Sequence, residues 1–488
     1  MLIVRKSNYC IVAVLSALVL GIAGCASIPA DQHSLPQQDI ARAELAGGIK
    51  LARDGWPDAQ WWTQYGDAQL NTLIQQALAN SPTLEVAAAR IGTARATLDF
   101  NGADRKANIS VNAEQTRQRY SSNGLFPAPI GGSYYNETIL QVQGQYDFDW
   151  WGKHRAQIAA ALGEVNARQA DYAQAEQVLA AAITQHYFNL QNDWARLANS
   201  HQSADAQRAI LADSKRRIAH GLSPIDLQRN AETDLSYLNQ RIAQLDANVI
   251  GEREALRALL GADAKALTEL APQRIADVAH SLPSTLGLNL LARRPDLQAA
   301  RWRVEASLSR IEMVKAAFYP DINLTASFGL DSIALGNLLS GASRTLFVGP
   351  ALSLPLFDSK RLDARLGSAR SERNEMVADY NQTVFNAVRD VAQRGAAMQS
   401  IESQIKLQQG AMQASDDLLR TANEKFKHGL ANNGTVLSAR LGQLAQQDTS
   451  LQLQNQQLLA EVSLVSALGG GYQVDAVSPR AALTQSSK

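Results

Sequence analysis

The chain has 488 residues, and its charges balance at 46 Lys and Arg against 46 Asp and Glu. A neutral chain without a basic cluster argues against nucleic acid as a partner. Aromatic content is only 6%, and the prominence of Ala, Leu and Gln suits long helices better than a β-rich globule. The only cysteines are Cys10 and Cys25. Beyond residue 25 the chain therefore holds no disulfide, no Cys-based metal site and no thiol nucleophile.

The N-terminus reads as an address. Arg5 and Lys6 precede an apolar run from Ile11 to Leu20, followed by Ile22-Ala23-Gly24-Cys25. A basic start, a short apolar core and small residues at the cleavage site define a secretory signal peptide over 1–24. The run is too short for a comfortable transmembrane helix. Ile-Ala-Gly-Cys resembles a bacterial lipobox, in which the cysteine is acylated and becomes the first mature residue. Each buried CH₂ contributes roughly 0.8 kcal/mol, so a multiply acylated Cys25 holds firmly to a membrane. Ala26, where an Asp would favour inner-membrane retention, permits the outer membrane. An ordinary signal peptide with a chance cysteine is the plainer alternative.

An internal repeat follows. His220-Gly221-Leu222 recurs as His428-Gly429-Leu430, an offset of 208, and Leu259-Leu260-Gly261 recurs as Ala467-Leu468-Gly469. Upstream, Pro82-Thr83-Leu84 matches Pro295-Asp296-Leu297, and Ile109, Val111 and Ala113 match Ile322, Leu324 and Ala326, at an offset of 213. The difference places extra residues in the first copy, and the Gly-, Pro- and Ser-rich stretch Ser121 to Ser133 reads as that loop. The repeats span 69–261 and 285–469. Each orders a helix, alternating segments around a loop, and two long helices. The segment 25–68, the linker 262–284 and the tail 470–488 flank them.

No Pro occurs between Pro129 and Pro224 or between Pro355 and Pro479, which permits very long helices. Val377, Val384, Val391, Met398, Ile405, Met412, Leu419 and Phe426 step by seven, as do Ile183, Leu190, Leu197, Ala204, Leu211 and Ile218. A seam sustained this long indicates coiled-coil packing. Four other segments alternate. Ile109, Val111 and Ala113 interleave with polar residues, as do Leu140 to Phe148 and Ile322 to Phe328, and Leu346 to Leu354 forms the fourth. Strands of about ten residues with one apolar face suit a membrane β-barrel wall, though a soluble sandwich shows the same pattern. Four strands cannot close a barrel, and lipid does not tolerate an open edge. Strands placed in a membrane therefore require several copies related by symmetry.

At this point the sequence resembles the TolC-like outer-membrane efflux proteins, in particular the lipoprotein branch with the OprM and NodT types. The resemblance spans essentially the whole mature chain. It rests on the lipobox and on Trp61-Trp62 with Gly66-Asp67 and Leu70. It rests equally on Leu291-Ala292-Arg293-Arg294-Pro295-Asp296-Leu297, Phe318-Tyr319-Pro320, Pro355-Leu356-Phe357-Asp358 and the paired glycine turns. It implies a mainly α chain with membrane β, a homotrimer whose twelve strands form one barrel joined to a periplasmic α-helical barrel of about 100 Å. Residues before Leu70, 262–284 and the tail would form a collar, and 119–137 and 332–344 the external loops. The tips at 220–224 and 428–434 would meet a periplasmic adaptor (a membrane fusion protein) and, directly or through it, an inner-membrane pump. The implied function is a passive exit duct for drugs or other toxic small molecules. Related ducts also secrete proteins or peptides, and a lipid-anchored coiled-coil scaffold without a pore is a further alternative.

Related channels often carry aspartates just past the tip turn, forming a ring that narrows the pore. Here Asp226 follows Gly221, but Asn432, Asn433, Gly434 and Thr435 occupy the second turn without an acid. Asp226 either contributes to a polar constriction or caps the following helix. His220 and His428 stand just before the tip glycines, where they suit the negative end of a helix dipole or could make the tip pH-sensitive. Gly221 and Gly429 fit left-handed positions. Trp61 and Trp62 suit either a membrane interface or the collar. No catalytic, metal or cofactor motif stands out: His-Glu-x-x-His, phosphate loops, Gly-x-Gly-x-x-Gly and Gly-x-Ser-x-Gly are all absent.

Overall fold

The computed structural model describes residues 28–39, 58–263, 265–274, 293–355 and 358–472. The expected signal peptide, Cys25, residues 264 and 275–284 of the linker, Leu291-Ala292, Leu356-Phe357 and the tail beyond 472 lie outside them. The first half orders α1 (Ala68–Asn80), α2 (Pro82–Ala103), β1 (Asn108–Arg119), β2 (Tyr134–Asp147), α3 (Lys153–Ala219) and α4 (Ile225–Leu260). The second half orders α5 (Pro295–Ala316), β3 (Asp321–Ser332), β4 (Arg344–Ser353), α6 (Ser359–Lys427) and α7 (Asn433–Ala467). A short 3₁₀ turn, Trp61–Tyr65, precedes α1. Among the described residues no helix is long and apolar enough to cross a membrane.

The chain divides into two compact units. One contains described residues of 1–37, 90–168 and 300–380, and is built on a four-stranded antiparallel sheet in the order β1-β2-β3-β4. Directly opposed residues share a face of a sheet. The register therefore converts each strand's alternation into rows across the whole sheet. Val111, Val142, Phe328 and Leu346 form one apolar row. Ile109, Gly144, Ala326 and Val348 form the next. Their large side chains lie open, with Leu346 76% and Val111 69% exposed. The opposite face carries Ser110, Gln143 and Ser327 in one row, which ends on Phe347, and Asn112, Gln141, Gly329 and Thr345 in another.

The strands run past the ends that apolar alternation marks. Arg119 pairs with Tyr134, and Thr116 with Glu137, so residues 134–137 belong to β2 rather than to the loop. Polar side chains occupy both faces there, and periodicity is silent while the backbone ladder continues. The unit's core gathers Ile311, Phe318, Leu362, Leu366 and Ala369, with Ile28 packed against it.

From Ile28 onward the N-terminal segment lies along α6. Arg373 pairs with Asp31 at 2.9 Å, and Asn374 donates to the His33 carbonyl at 2.8 Å and accepts from the Leu35 amide. Arg370 donates to the carbonyls of Pro29 and Ala30. Asp31→Ala is expected to speed proteolytic cleavage within 28–39 by about three- to fivefold, the worth of a partly exposed ion pair. The melting temperature of the helices should not change, which circular dichroism checks.

The second unit contains described residues of 38–89, 169–299 and 381–488. Trp61 and Trp62 are buried in it, not displayed at an interface. The Trp61 indole donates to Gln177 at 3.1 Å, and Tyr65 packs edge-on against Phe188. Asp67 caps α1 by accepting from the Leu70 amide, and its other oxygen accepts from the Tyr187 hydroxyl at 2.6 Å. These bonds explain why Trp-Trp, Gly-Asp and Leu70 occur together.

The Arg293-Arg294-Pro295-Asp296 stretch has an equally local reason. Arg294 is buried. Its guanidinium grips Asp296 with two hydrogen bonds and donates to the Ala467 carbonyl at 2.8 Å. It thereby satisfies an orphan carbonyl at the end of α7.

The α6 seam is buried at Val377, Val384, Val391 and Met398, half-buried at Ile405, Met412 and Leu419, and open at Phe426.

Candidate functional site

Two features of the helical unit gather the candidate residues and the buried polar groups: the helix turns and a polar ladder within the helices. At the first turn Gly221 adopts φ +67° and at the second Gly429 adopts φ +73°. The Leu222 amide donates to the Arg217 carbonyl at 2.8 Å, and Gly221 to Ile218 at 2.9 Å. Leu430 to Lys425 and Gly429 to Phe426 repeat the pattern at 2.7 and 3.0 Å. This paired closure is the Schellman motif, which requires a left-handed residue where each glycine sits. His220 and His428 therefore occupy the C-cap position of α3 and α6. Leu222 and Leu430 are 69% and 77% exposed, so the turns display apolar side chains to the outside.

The helices that leave the turns start differently. Pro224 stands at the N-cap of α4 and offers no side-chain cap. Asp226 lies in the first turn, where a carboxylate complements the helix dipole without capping it. At α7, Asn432 is the cap: its side chain accepts from the Thr435 amide at 2.9 Å and from the Thr435 hydroxyl at 3.1 Å. Asn432 and Thr435 thus spend their polarity on each other, while Asn433 opens the helix and is exposed.

Sequence reasoning missed the ladder that joins α3, α4 and α7. Asn455 donates to Asn189 at 2.9 Å. Asn199 donates to the Leu444 carbonyl at 2.9 Å, and Arg440 to Gln202 at 2.9 Å. At its centre Asp448 of α7 is 4% exposed. It accepts from Arg196 of α3 at 3.1 Å and pairs with Arg241 of α4, with Gln452 adding a bond. Burial pushes the Asp448 carboxyl up, but the hydrogen bonds and charges of both guanidiniums outweigh it and hold the carboxyl below its ordinary value. One carboxylate therefore ties three helices. Asp448 lies one helical turn beyond the fully buried Leu444, on the face that packs inward, but the sequence alone does not mark that face.

A second carboxyl near the ladder behaves oppositely. Burial pushes Asp193 up to about 6, against the pull of Arg196 3.9 Å away and with the help of Glu252. Glu252 is itself bound to His186 at 2.6 Å. A carboxyl that holds its proton more tightly when folded makes the folded state less stable as pH rises from about 4 to 6. Asp193→Asn should abolish that fall, leaving a melting temperature that is flatter across this window and no lower at pH 7. Thermal melts at half-unit pH steps check it.

The sequence profile of the outer membrane efflux protein family matches residues 73–262 and again 286–470. The chain is 36% identical to the multidrug resistance outer membrane protein MdtP of Escherichia coli strain K12, over 93% of this chain and 95% of that protein. It is also 36% identical to the putative multidrug resistance outer membrane protein MdtQ of Shigella flexneri, covering 93% and 97%. Among solved structures, the outer membrane protein VceC of Vibrio cholerae superposes with a TM-score of 0.78 at 30% identity, over 86% of this chain and all of that one. With the open sheet, the long helices and two whole-length relatives in agreement, the chain belongs to the outer membrane efflux protein family.

Proposed function

We propose that three copies of this channel subunit close a single barrel, β4 of each copy pairing with β1 of the next. The helices continue the path as a passive exit duct for drugs and other toxic small molecules. One observation carries the reading. The sheet displays a continuous apolar face, yet β1 and β4 each present an unpaired edge. In lipid each unsatisfied backbone group costs several kcal/mol, and a ring of identical sheets removes every edge at once. Twelve strands enclose more space than side chains fill. The polar face, with Gln141, Gln143 and Gln145, then lines water.

Acylated Cys25 tethers each copy to the outer membrane, and the segment beginning at Ile28 leads from that tether onto α6. Residues up to 68, with 262–284 and 470–488, form the collar. The turns at 220–224 and 428–434 face the periplasmic adaptor, offering Leu222 and Leu430 as apolar contacts, and the inner-membrane pump behind it supplies the energy. The constriction is polar and lightly charged, with one Asp226 per copy and no acid from the second turn. The open ends of the seams, such as Phe426, become helix–helix contacts between copies.

The test pairs two measurements. Purified protein in planar bilayers gives discrete single-channel steps, and deletion of the gene raises susceptibility to a panel of antibiotics, dyes and detergents. A protein that passes no current overturns the duct. One that conducts, but whose loss leaves susceptibility unchanged in a strain without other ducts of this family, overturns the cargo.

A further inference from the structure

The loop end of the four-stranded sheet sorts its charges by face. Beyond the apolar rows, the register continues through Ala113, Leu140, Leu330 and Arg344, then Gln115, Thr138 and Ser332, then Arg117 and Asn136, and last Arg119 and Tyr134. All of these stand on the face of Val142 and Leu346, because opposed residues share a face and every second residue returns to it. That face passes from apolar to polar within two rows, and Arg117, Arg119 and Arg344 stand at the border. The acids of the strands at this end fall on the opposite face: Glu114 pairs with Ile139, which pairs with Asp331, and Glu137 pairs with Thr116. The connecting residues 120–133 and 333–343 contain no charged side chain.

All three arginines are exposed, and none has an ion-pair partner among the described residues. The guanidiniums of Arg117 and Arg119 lie 5.3 and 5.9 Å from the centroid of the Tyr134 ring. These contacts hold both cations on this face and engage the plane of each guanidinium rather than its N–H edge. The border is therefore cationic, with no carboxylate on the same face at this end. β1 and β4 are the two edges of the sheet, so Arg117 and Arg119 stand at one edge and Arg344 at the other. A ring that pairs β4 of one copy with β1 of the next brings all three guanidiniums to each seam.

We infer that this arginine border binds the phosphate groups of a phosphorylated, multiply acylated glycolipid in the outer leaflet of the membrane, at each seam between copies. Guanidinium forks take phosphate oxygens in pairs, and three of them suit a lipid with more than one phosphate. Tyr134 lies at the polar boundary, as amphipathic rings do at a membrane interface. Asn136 and Thr138 offer hydrogen bonds to sugar hydroxyls, and the acyl chains run along the rows of Leu140 and Val142. The leaflet follows from topology: β1 and β3 leave α2 and α5, and β2 and β4 lead into α3 and α6, all at the other end of the sheet. The inference rests on the duct reading, which turns this face to lipid and closes the seam.

Native mass spectrometry of the full, assembled protein tests it, after delipidation in detergent and titration with bisphosphorylated lipid A, its dephosphorylated form or phosphatidylglycerol. Bisphosphorylated lipid A is retained, and the other two are held about tenfold more weakly or not at all, the worth of one charge-assisted hydrogen bond. Arg117→Gln/Arg119→Gln/Arg344→Gln loses that same factor of about ten. Arg117→Lys/Arg119→Lys/Arg344→Lys keeps the charge, gives up only the fork, and stays within about threefold of the wild type. Because the native side chains are exposed, the substitutions remove no core contact. Undiminished retention by the Gln variant, equal retention of the dephosphorylated form or of phosphatidylglycerol, or displacement of the lipid by an equal concentration of inorganic phosphate overturns the site. Conductance separates the two readings. A conducting Gln variant with unchanged retention sinks the site and spares the duct. A wild type that neither conducts nor enters bilayers sinks both.

Discussion

Val142→Arg is expected to abolish assembly in the outer membrane, whereas Gln143→Arg leaves a folded channel with altered ion selectivity. The two positions are neighbours on β2, but a strand's side chains alternate between faces. Val142 sits in the row of Val111, Phe328 and Leu346, on the exposed apolar face that the duct reading turns toward lipid. An arginine near the bilayer midplane on such a face costs about 2–4 kcal/mol. Three copies multiply that, against a total stability of the order of 5–15 kcal/mol for an ordinary domain. Gln143 sits in the row of Ser110 and Ser327, where a guanidinium meets water and only the field in the lumen changes. Heat-resistant oligomers on a gel, from membranes expressing each variant, give the first readout, and reversal potential in a salt gradient gives the second. An inserted, conducting Val142→Arg protein would show that this face does not meet lipid.

The second large effect belongs to Asp448. Asp448→Ala removes the acid shared by Arg196 and Arg241 and leaves the half-buried Arg196 guanidinium without its inter-helix partner. Breaking a buried pair from one side costs about 3–5 kcal/mol. The lower half of that range is the better guide here, since the Arg241 side chain is 39% exposed and can turn to water. The pH dependence has a definite sign. The folded carboxyl lies below its ordinary value, so the stabilisation is complete above an unfolded value of about 3.9 and disappears as pH falls through the folded one. The wild type should lose stability steeply in acid, and Asp448→Ala should lose that limb of the curve. Because the carboxylate joins α4 to α3 and α7, its removal should also raise open probability in bilayers. Asp448→Asn separates the effects by restoring packing without charge.

How far these features were legible follows from the kind of signal each leaves. The four strands, the two glycine turns and the long helices announce themselves through period, proline spacing and repetition. All of these are local and survive in a single sequence. The Asp226 and Asn432 turns were legible as turns but not in detail. A cap depends on which residue takes the N-cap dihedrals: Pro224 took it in the first case, so Asp226 makes no cap, and Asn432 in the second.

Asp448, Arg196 and Arg241 were illegible for a different reason. They lie far apart in sequence, on three helices rich in charge, and nothing in the one-dimensional pattern tells a solvated charge from one turned inward. The segment from Ile28 to Asp39 carries no periodicity at all. Its place is set by backbone carbonyls that Arg370 and Asn374 reach from α6.

Closure of open sheets into a ring is tested most directly by cysteine cross-linking along the two free edges. Cys10 and Cys25 are the only cysteines of the sequence, and if the proposed processing and acylation hold, neither leaves a free thiol, so a cysteine pair scanned along β1 and β4 supplies the thiols that react. At positions that meet between copies, oxidation in intact outer membranes should give covalent dimers and trimers, with the ladder ending at three. A protein that remains monomeric at every pair tested, or a ladder that climbs beyond three, would contradict a closed twelve-stranded barrel.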